Sequence, residues 1–227
     1  MIGRFALVCL DMAGTTVRDD GAVNAAFTRA LEIVGITPDA PRYAEARRFV
    51  NETMGWSKAD VFAALLPPRD AARATTAFAS AYEAIVAAGD VHPVEGAAAV
   101  LHTLRERDTR ICLTTGFAPS TRDALLTTLG WMALVDRALS PSDVGGRGRP
   151  APDLILGAMA QLDVADPAAV AVVGDTVSDL EAGTAAHAGA VIGVLSGAHD
   201  QTTLGSAPHT ALLPDVGHLI KELERAA

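Results

Sequence analysis

Hydrophobic residues form a short unbroken run at positions 5–10, which ends abruptly at Asp11. Such a run is typical of a strand in a parallel sheet with both faces covered. From about Gly21 to Gly89 the apolar residues instead follow helical spacing. The pattern predicts helices over 23–34, 41–50, 57–66 and 71–88, and Ser57 is a suitable N-cap for the third of them.

After Gly89 short apolar runs alternate with segments of helical periodicity. The runs predict strands over 110–115, 135–139, 169–173, 190–194 and, more weakly, 210–213. The periodic segments predict helices over 94–107, 120–129, 153–161, 177–188 and 216–225. Alternation of this kind predicts an α/β fold with a doubly wound parallel sheet.

The helical stretch that follows the first strand is too long to be a plain loop in a compact domain. We therefore predict two units. Residues 1–16 and 91–227 form an α/β core domain, and residues 17–90 form a helical cap domain inserted after the first strand.

Half of the residues are hydrophobic, which is enough for a sizeable core, and the formal net charge is −9. That acidity argues against a nucleic-acid partner but allows an anionic small molecule, because a metal ion and local cations can reverse the charge of one pocket. Cys9 and Cys112 lie in apolar runs and are expected to pack in the core. We find neither a signal peptide nor an apolar run long enough for a membrane helix, so no membrane partner and a cytoplasmic location are expected.

In open α/β sheets, ligands bind beyond the carboxyl ends of the strands. Several polar residues follow predicted strands directly or lie in loops at the same edge: Asp11, Thr114, Thr115, Gly116, Arg149, Asp175 and Asp179. Paired carboxylates suit Mg²⁺, which takes oxygen ligands, and hydroxyl groups with a guanidinium suit a phosphoryl group. A carboxylate at such a site can act as a nucleophile and form an aspartyl-phosphate.

Three motifs carry a resemblance to the haloacid dehalogenase superfamily of phosphohydrolases. They are Asp-Met-Ala-Gly-Thr-Thr-Val at 11–17, Thr-Thr-Gly at 114–116 and Gly-Asp-Thr-Val-Ser-Asp at 174–179. Met-Gly-Trp-Ser-Lys at 54–58 and Gly-Arg-Pro at 148–150 make the chain most similar to the phosphonoacetaldehyde hydrolase (phosphonatase) branch. The resemblance covers essentially the whole chain and implies a Rossmann-like core with a cap.

The resemblance also implies a role for each motif residue. Asp11 is the expected nucleophile, and the expected Mg²⁺ ligands are Asp11, Asp175 and the carbonyl of Ala13, supported by Asp179. The phosphoryl oxygens are expected to contact Thr114, Thr115, Gly116 and Arg149. Phosphonatases are commonly dimers through the cap, so a homodimer is a possible assembly.

Ala13 stands where ordinary phosphatases of this superfamily carry a second Asp, the general acid that protonates the leaving group. The resemblance suggests another route, in which Lys58 forms a Schiff base with an aldehyde substrate. The expected activity is therefore cleavage of the P–C bond of phosphonoacetaldehyde, or of a close analogue, to phosphate and an aldehyde.

The sequence also allows alternative functions. Phosphonatases carry a His three residues after the Lys and a Tyr after Thr-Gly, where this chain has Val61 and Phe117. A small-molecule phosphomonoester phosphatase is the main alternative, in which Lys58 or water would protonate the leaving group. Separately, Lys58 could be an ordinary exposed charge in the first turn of its helix. A metal-independent dehalogenase and a binding protein without activity are weaker ones. A shift of two residues would exchange Arg149 with Arg147.

Overall fold

The computed structural model describes residues 3–226. Six strands form one parallel sheet in the order β3-β2-β1-β4-β5-β6. The strands are β1 Leu7–Asp11, β2 Arg110–Thr114, β3 Arg137–Leu139, β4 Val170–Gly174, β5 Ala190–Val194 and β6 Ala211–Leu213. The order reverses between β1 and β4, where ligands bind in folds of this class.

Alternate side chains of β1 enter two different hydrophobic clusters. Val8 and Leu10 join the larger cluster, whereas Leu7 and Cys9 join one that contains residues of helix α7, Asp153–Gln161. Both faces of the sheet are therefore covered, which confirms the predicted doubly wound α/β fold. Cys9 pairs in register with Cys112, and both are buried free thiols.

Five helices lie between β1 and β2 in the chain, and we call the first four of them the cap helices. They are α1 Ala22–Ile33, α2 Tyr43–Glu52, α3 Lys58–Leu65 and α4 Pro68–Ala88. Ser57 caps α3 as predicted, since its hydroxyl accepts a hydrogen bond from the backbone N–H of Asp60 at 3.3 Å. The cap helices share one continuous hydrophobic cluster with one face of the sheet.

The remaining helices are α5 Ala97–Glu106, α6 Pro119–Thr128, α7, α8 Val177–Ala185, α9 Gln201–Leu204 and α10 Leu219–Arg225. Helix α5 begins three residues later than predicted because Gly96 adopts a left-handed conformation, with φ 79°, that an α-helix cannot include. The four-residue helix α9 was not predicted, being too short to show a period. Within residues 3–226, none of the helices is long and apolar enough to cross a membrane.

Candidate active site

A cavity of about 750 Å³ opens at the carboxyl edge of the sheet, beneath the cap helices. It is lined by most of the residues that the sequence singled out: Asp11, Ala13, Lys58, Thr115, Gly116, Arg149 and Asp175. They meet there because β1 lies between β2 and β4, so the loops that follow these three strands are adjacent.

Three buried carboxylates cluster at this site, of which Asp11 and Asp175 line the cavity and Asp179 does not. Asp11, Asp175 and Asp179 each place one oxygen atom within 4.8 Å of the others. Burial raises the pKa of Asp11 to about 6, although Arg149 acts to lower it. Burial, reinforced by the charges of Asp11 and Asp179, also holds the pKa of Asp175 well above its ordinary value. A hard divalent cation would relieve this repulsion, so the donor set fits Mg²⁺.

The carboxylate of Asp175 is fixed by two donors. Its Oδ1 accepts from the hydroxyl of Thr15 at 2.9 Å, and its Oδ2 accepts from the backbone N–H of Ala198 at 2.7 Å. Gly14 turns the chain behind Asp11 with φ 92°, and a Cβ at this position would collide with the carboxylate of Asp175. The glycine of the first motif therefore lets the two strand ends approach each other.

Arg149 is buried among the carboxylates. Its Nη1 lies 2.6 Å from Oδ1 of Asp11 and also contacts Asp179. Burial alone would lower the pKa of Arg149, but these two carboxylates outweigh burial and raise it. Arg147 instead pairs with Asp153 at 2.8 Å, and its side chain is 75% exposed. The structure therefore brings Arg149, and not Arg147, to the site.

The two adjacent threonines of the second motif point to different places. Thr115 lines the cavity, and its hydroxyl accepts from the backbone N–H of Phe117 at 3.1 Å. Thr114 is the last residue of β2, where its hydroxyl faces the carbonyl oxygen of Leu10 at 3.5 Å. Thr114 is buried beside Asp11, its register partner in the sheet, and does not line the cavity.

Lys58 begins helix α3, and its backbone N–H donates to the carbonyl of Gly116 at 3.1 Å. Its side chain is buried, with Nζ 5.3, 5.6 and 5.8 Å from the ring centroids of Phe27, Phe117 and Phe78. Burial, followed by repulsion from Arg149, lowers the pKa of Lys58 to about 8. The amine at the cavity wall is therefore far easier to deprotonate than an ordinary lysine.

The sequence did not identify the loop that follows β5, residues 196–199, as part of the site. Ser196 donates from its hydroxyl to the carbonyl of Gly14 at 2.7 Å. His199 lines the cavity, and its Nδ1 accepts from the backbone N–H of Val177 at 3.0 Å. This loop follows β5 at the carboxyl edge of the sheet, and that position was the only signal that could have identified it.

Comparison with known proteins agrees with this geometry. A sequence model of haloacid dehalogenase-like hydrolases matches residues 5–187. A phosphonoacetaldehyde hydrolase from Bacteroides fragilis is 29% identical over 134 residues, which are 59% of this chain and 50% of the relative. The matched region thus spans about half the length of that curated relative.

Solved structures with the same fold cover almost the whole chain. A hydrolase from Pseudomonas syringae superposes with a TM-score of 0.84 and 24% identity, over 98% of this chain and 99% of that one. A phosphonoacetaldehyde hydrolase like protein from Oleispira antarctica gives a TM-score of 0.82 and 21% identity, over 99% and 94% of the two chains. At these identities the likeness establishes the fold alone.

Proposed function

Because this chain belongs to the haloacid dehalogenase-like hydrolase family, we propose that it hydrolyses a bond to phosphorus with Asp11 as the nucleophile. The observation that carries the proposal is the contact of Arg149 with Asp11 beside the carboxylate of Asp175. Together they join a nucleophile, a phosphoryl-binding cation and a metal ligand in one cavity.

In the first step, an oxygen of Asp11 attacks phosphorus, and the bond from phosphorus to the leaving group breaks. Arg149, the hydroxyl of Thr115 and the backbone at Gly116 hold the phosphoryl oxygens. Mg²⁺, held by Asp11, Asp175 and the Ala13 carbonyl with Asp179 in support, would neutralise charge on those oxygens. Water then hydrolyses the aspartyl-phosphate, which releases phosphate and restores Asp11.

The proposed substrate is phosphonoacetaldehyde or a close analogue, because of residues 13 and 58. Ala13 cannot protonate a leaving group, and a positioned general acid contributes about two to four powers of ten in rate. Lys58 can instead supply an electron sink. As a neutral amine it adds to the aldehyde, and the adduct takes up one proton and loses water to give an iminium ion.

When Asp11 attacks phosphorus, the electron pair of the P–C bond moves into this iminium and leaves an enamine on Lys58. The enamine is protonated on carbon, and water hydrolyses the resulting imine to acetaldehyde and free Lys58. The lowered pKa of Lys58 supports this proposal, since the reactive form is the neutral amine.

A phosphomonoester phosphatase is the second candidate, and the surroundings of Lys58 favour it. Val61 and Phe117 are both buried and have apolar side chains, so neither position offers a polar group that could shuttle protons to the amine. In a phosphatase, Lys58 or water would protonate the departing alkoxide.

Phosphate release with Mg²⁺ from phosphonoacetaldehyde, beside a panel of phosphate monoesters, tests the two candidates. The chain contains only two lysines, Lys58 and the exposed Lys221, so Lys221→Ala is a matched control for Lys58→Ala. Cleavage of the phosphonate that is lost only in Lys58→Ala supports P–C hydrolysis. Hydrolysis of esters alone, little changed in both variants, would refute it in favour of the phosphatase.

A further inference from the structure

Besides Asp20, which pairs with Arg18, the segment between β1 and α1 adds one further carboxylate to the cavity lining, that of Asp19. Its Oδ1 accepts a hydrogen bond from the backbone N–H of Val23 at 2.8 Å, which orients the side chain at the start of α1. Within residues 3–226, no hydrogen bond or ion pair engages its other oxygen. That oxygen is therefore free to exchange a proton with a molecule in the cavity.

Asp19 acts on Lys58 electrostatically. Burial and Arg149 lower the pKa of Lys58, and the negative charges of Asp11, Asp19 and Asp175 act in the opposite direction. Two of these three carboxylates already have other hydrogen-bond or ion-pair partners. Asp11 contacts Arg149, and Asp175 accepts from Thr15 and Ala198.

We propose that Asp19 is the proton carrier for imine formation at Lys58, in place of the polar groups absent at Val61 and Phe117. This inference rests on the P–C hydrolysis proposed above and adds a catalytic residue to it. It depends on the cavity position of Asp19, on its fixed Oδ1 and on its free second oxygen.

The free oxygen of Asp19 takes a proton from the Lys58 ammonium group, and the amine lone pair forms a bond to the aldehyde carbon. The carbonyl electron pair moves to oxygen, which receives that proton from Asp19. Asp19 then carries a second proton from nitrogen to the same oxygen, the C–O bond breaks, and water leaves. The nitrogen lone pair closes the C=N bond, so one cation and one aldehyde give one iminium ion and one water.

Substitution Asp19→Asn separates this role from the hydrogen bond to Val23. The amide oxygen of Asn can still accept from the Val23 N–H, so the start of α1 keeps this contact, but an amide cannot relay protons. The change also removes a negative charge that favours protonated Lys58. A purely electrostatic role of Asp19 therefore predicts faster reaction of the amine, whereas proton transfer predicts slower reaction.

The experiment is borohydride trapping of the intact protein with phosphonoacetaldehyde, followed by mass spectrometry to measure the rate of adduct formation on Lys58. Asp90→Asn is the control, because Asp90 is exposed and does not line the cavity. We expect Asp19→Asn to slow trapping by roughly 100-fold or more, with an unchanged melting temperature, and Asp90→Asn to leave the rate unchanged.

Trapping of Asp19→Asn at or above the wild-type rate would overturn the role of Asp19 while leaving P–C hydrolysis intact. Failure to trap wild-type Lys58 at all would overturn both proposals. Equal slowing in Asp19→Asn and Asp90→Asn would also overturn the inference, since it would show no role that is specific to Asp19.

Discussion

Nη1 of Arg149 lies 2.6 Å from Oδ1 of Asp11. This contact holds the guanidinium of Arg149 against the carboxylate of Asp11, which we propose is the nucleophile. Because Arg149 also contacts Asp179, one guanidinium compensates two of the three buried carboxylates. We therefore propose that its charge serves the stability of the site as well as the binding of a phosphoryl group.

Replacing Arg149 is accordingly expected to affect both properties. Arg149→Lys keeps the charge but loses the planar fork that binds two oxygens at once, and we expect kcat to fall by about 100-fold. Arg149→Ala leaves buried carboxylates unpaired and should lower the free energy of unfolding by about 3 kcal/mol or more.

Arg147→Ala is the matched control for both measurements, since Arg147 is exposed and pairs with Asp153. Steady-state kinetics and chemical denaturation check the two effects separately. Equal losses in the Arg147 and Arg149 variants would contradict the assignment of Arg149 to the site.

A divalent cation is expected to stabilise the protein through its three carboxylates. Added Mg²⁺ should raise the melting temperature, because it binds the folded state alone. Asp175→Asn removes one ligand and should abolish most of this rise, and the metal concentration needed for half-maximal activity should increase. Asp90→Asn, at an exposed position, is the control. A full Mg²⁺-dependent rise in Asp175→Asn would contradict the proposed ligand set.

Much of the fold and the carboxylate cluster could be predicted from the sequence, because both depend on local signals. Apolar runs that end in Asp11 and at Gly174-Asp175 mark strand ends, and parallel strand ends share one edge of the sheet. The choice between Thr114 and Thr115 could not be predicted in this way. It depends on whether the strand ends one residue earlier or later, and such boundaries carry no clear sequence signal.

The aromatic surroundings of Lys58 also could not be predicted from the sequence. Phe27, Phe78 and Phe117 come from α1, from α4 and from the loop after β2, and tertiary packing alone brings them to one amine. The carboxylate of Asp19 went unnoticed for the same reason, since nothing local distinguishes it from the exposed Asp20.

The pKa of Lys58 gives a prediction for pH. The neutral amine is the nucleophile, and with a pKa of about 8 its fraction increases as pH rises through that value. The trapping rate should therefore rise roughly tenfold from pH 7 to pH 9 and then level off, well below the ordinary lysine range. Phe78→Ala should admit water around the amine, reduce the burial that lowers its pKa, and move the profile to higher pH. A wild-type midpoint near 10.5 would contradict the role of burial.

Gly55 lies between α2 and α3, where the cap helices contact the start of α8. It has φ 90°, and a Cβ there would collide with the hydroxyl of Thr176, the N-cap residue of α8. Gly35 has a similar φ of 83° with open space around it, so Gly35→Ala isolates the backbone strain, about 1–2 kcal/mol. We expect both alanine variants to lose stability by this amount. Only Gly55→Ala should also lose most of its turnover, because the collision pushes the start of α3, and with it Lys58, away from the carboxylates. Thermal unfolding and kcat measured on both variants would check this, and equal turnover in the two would mean that the contact of Gly55 with Thr176 does not position Lys58.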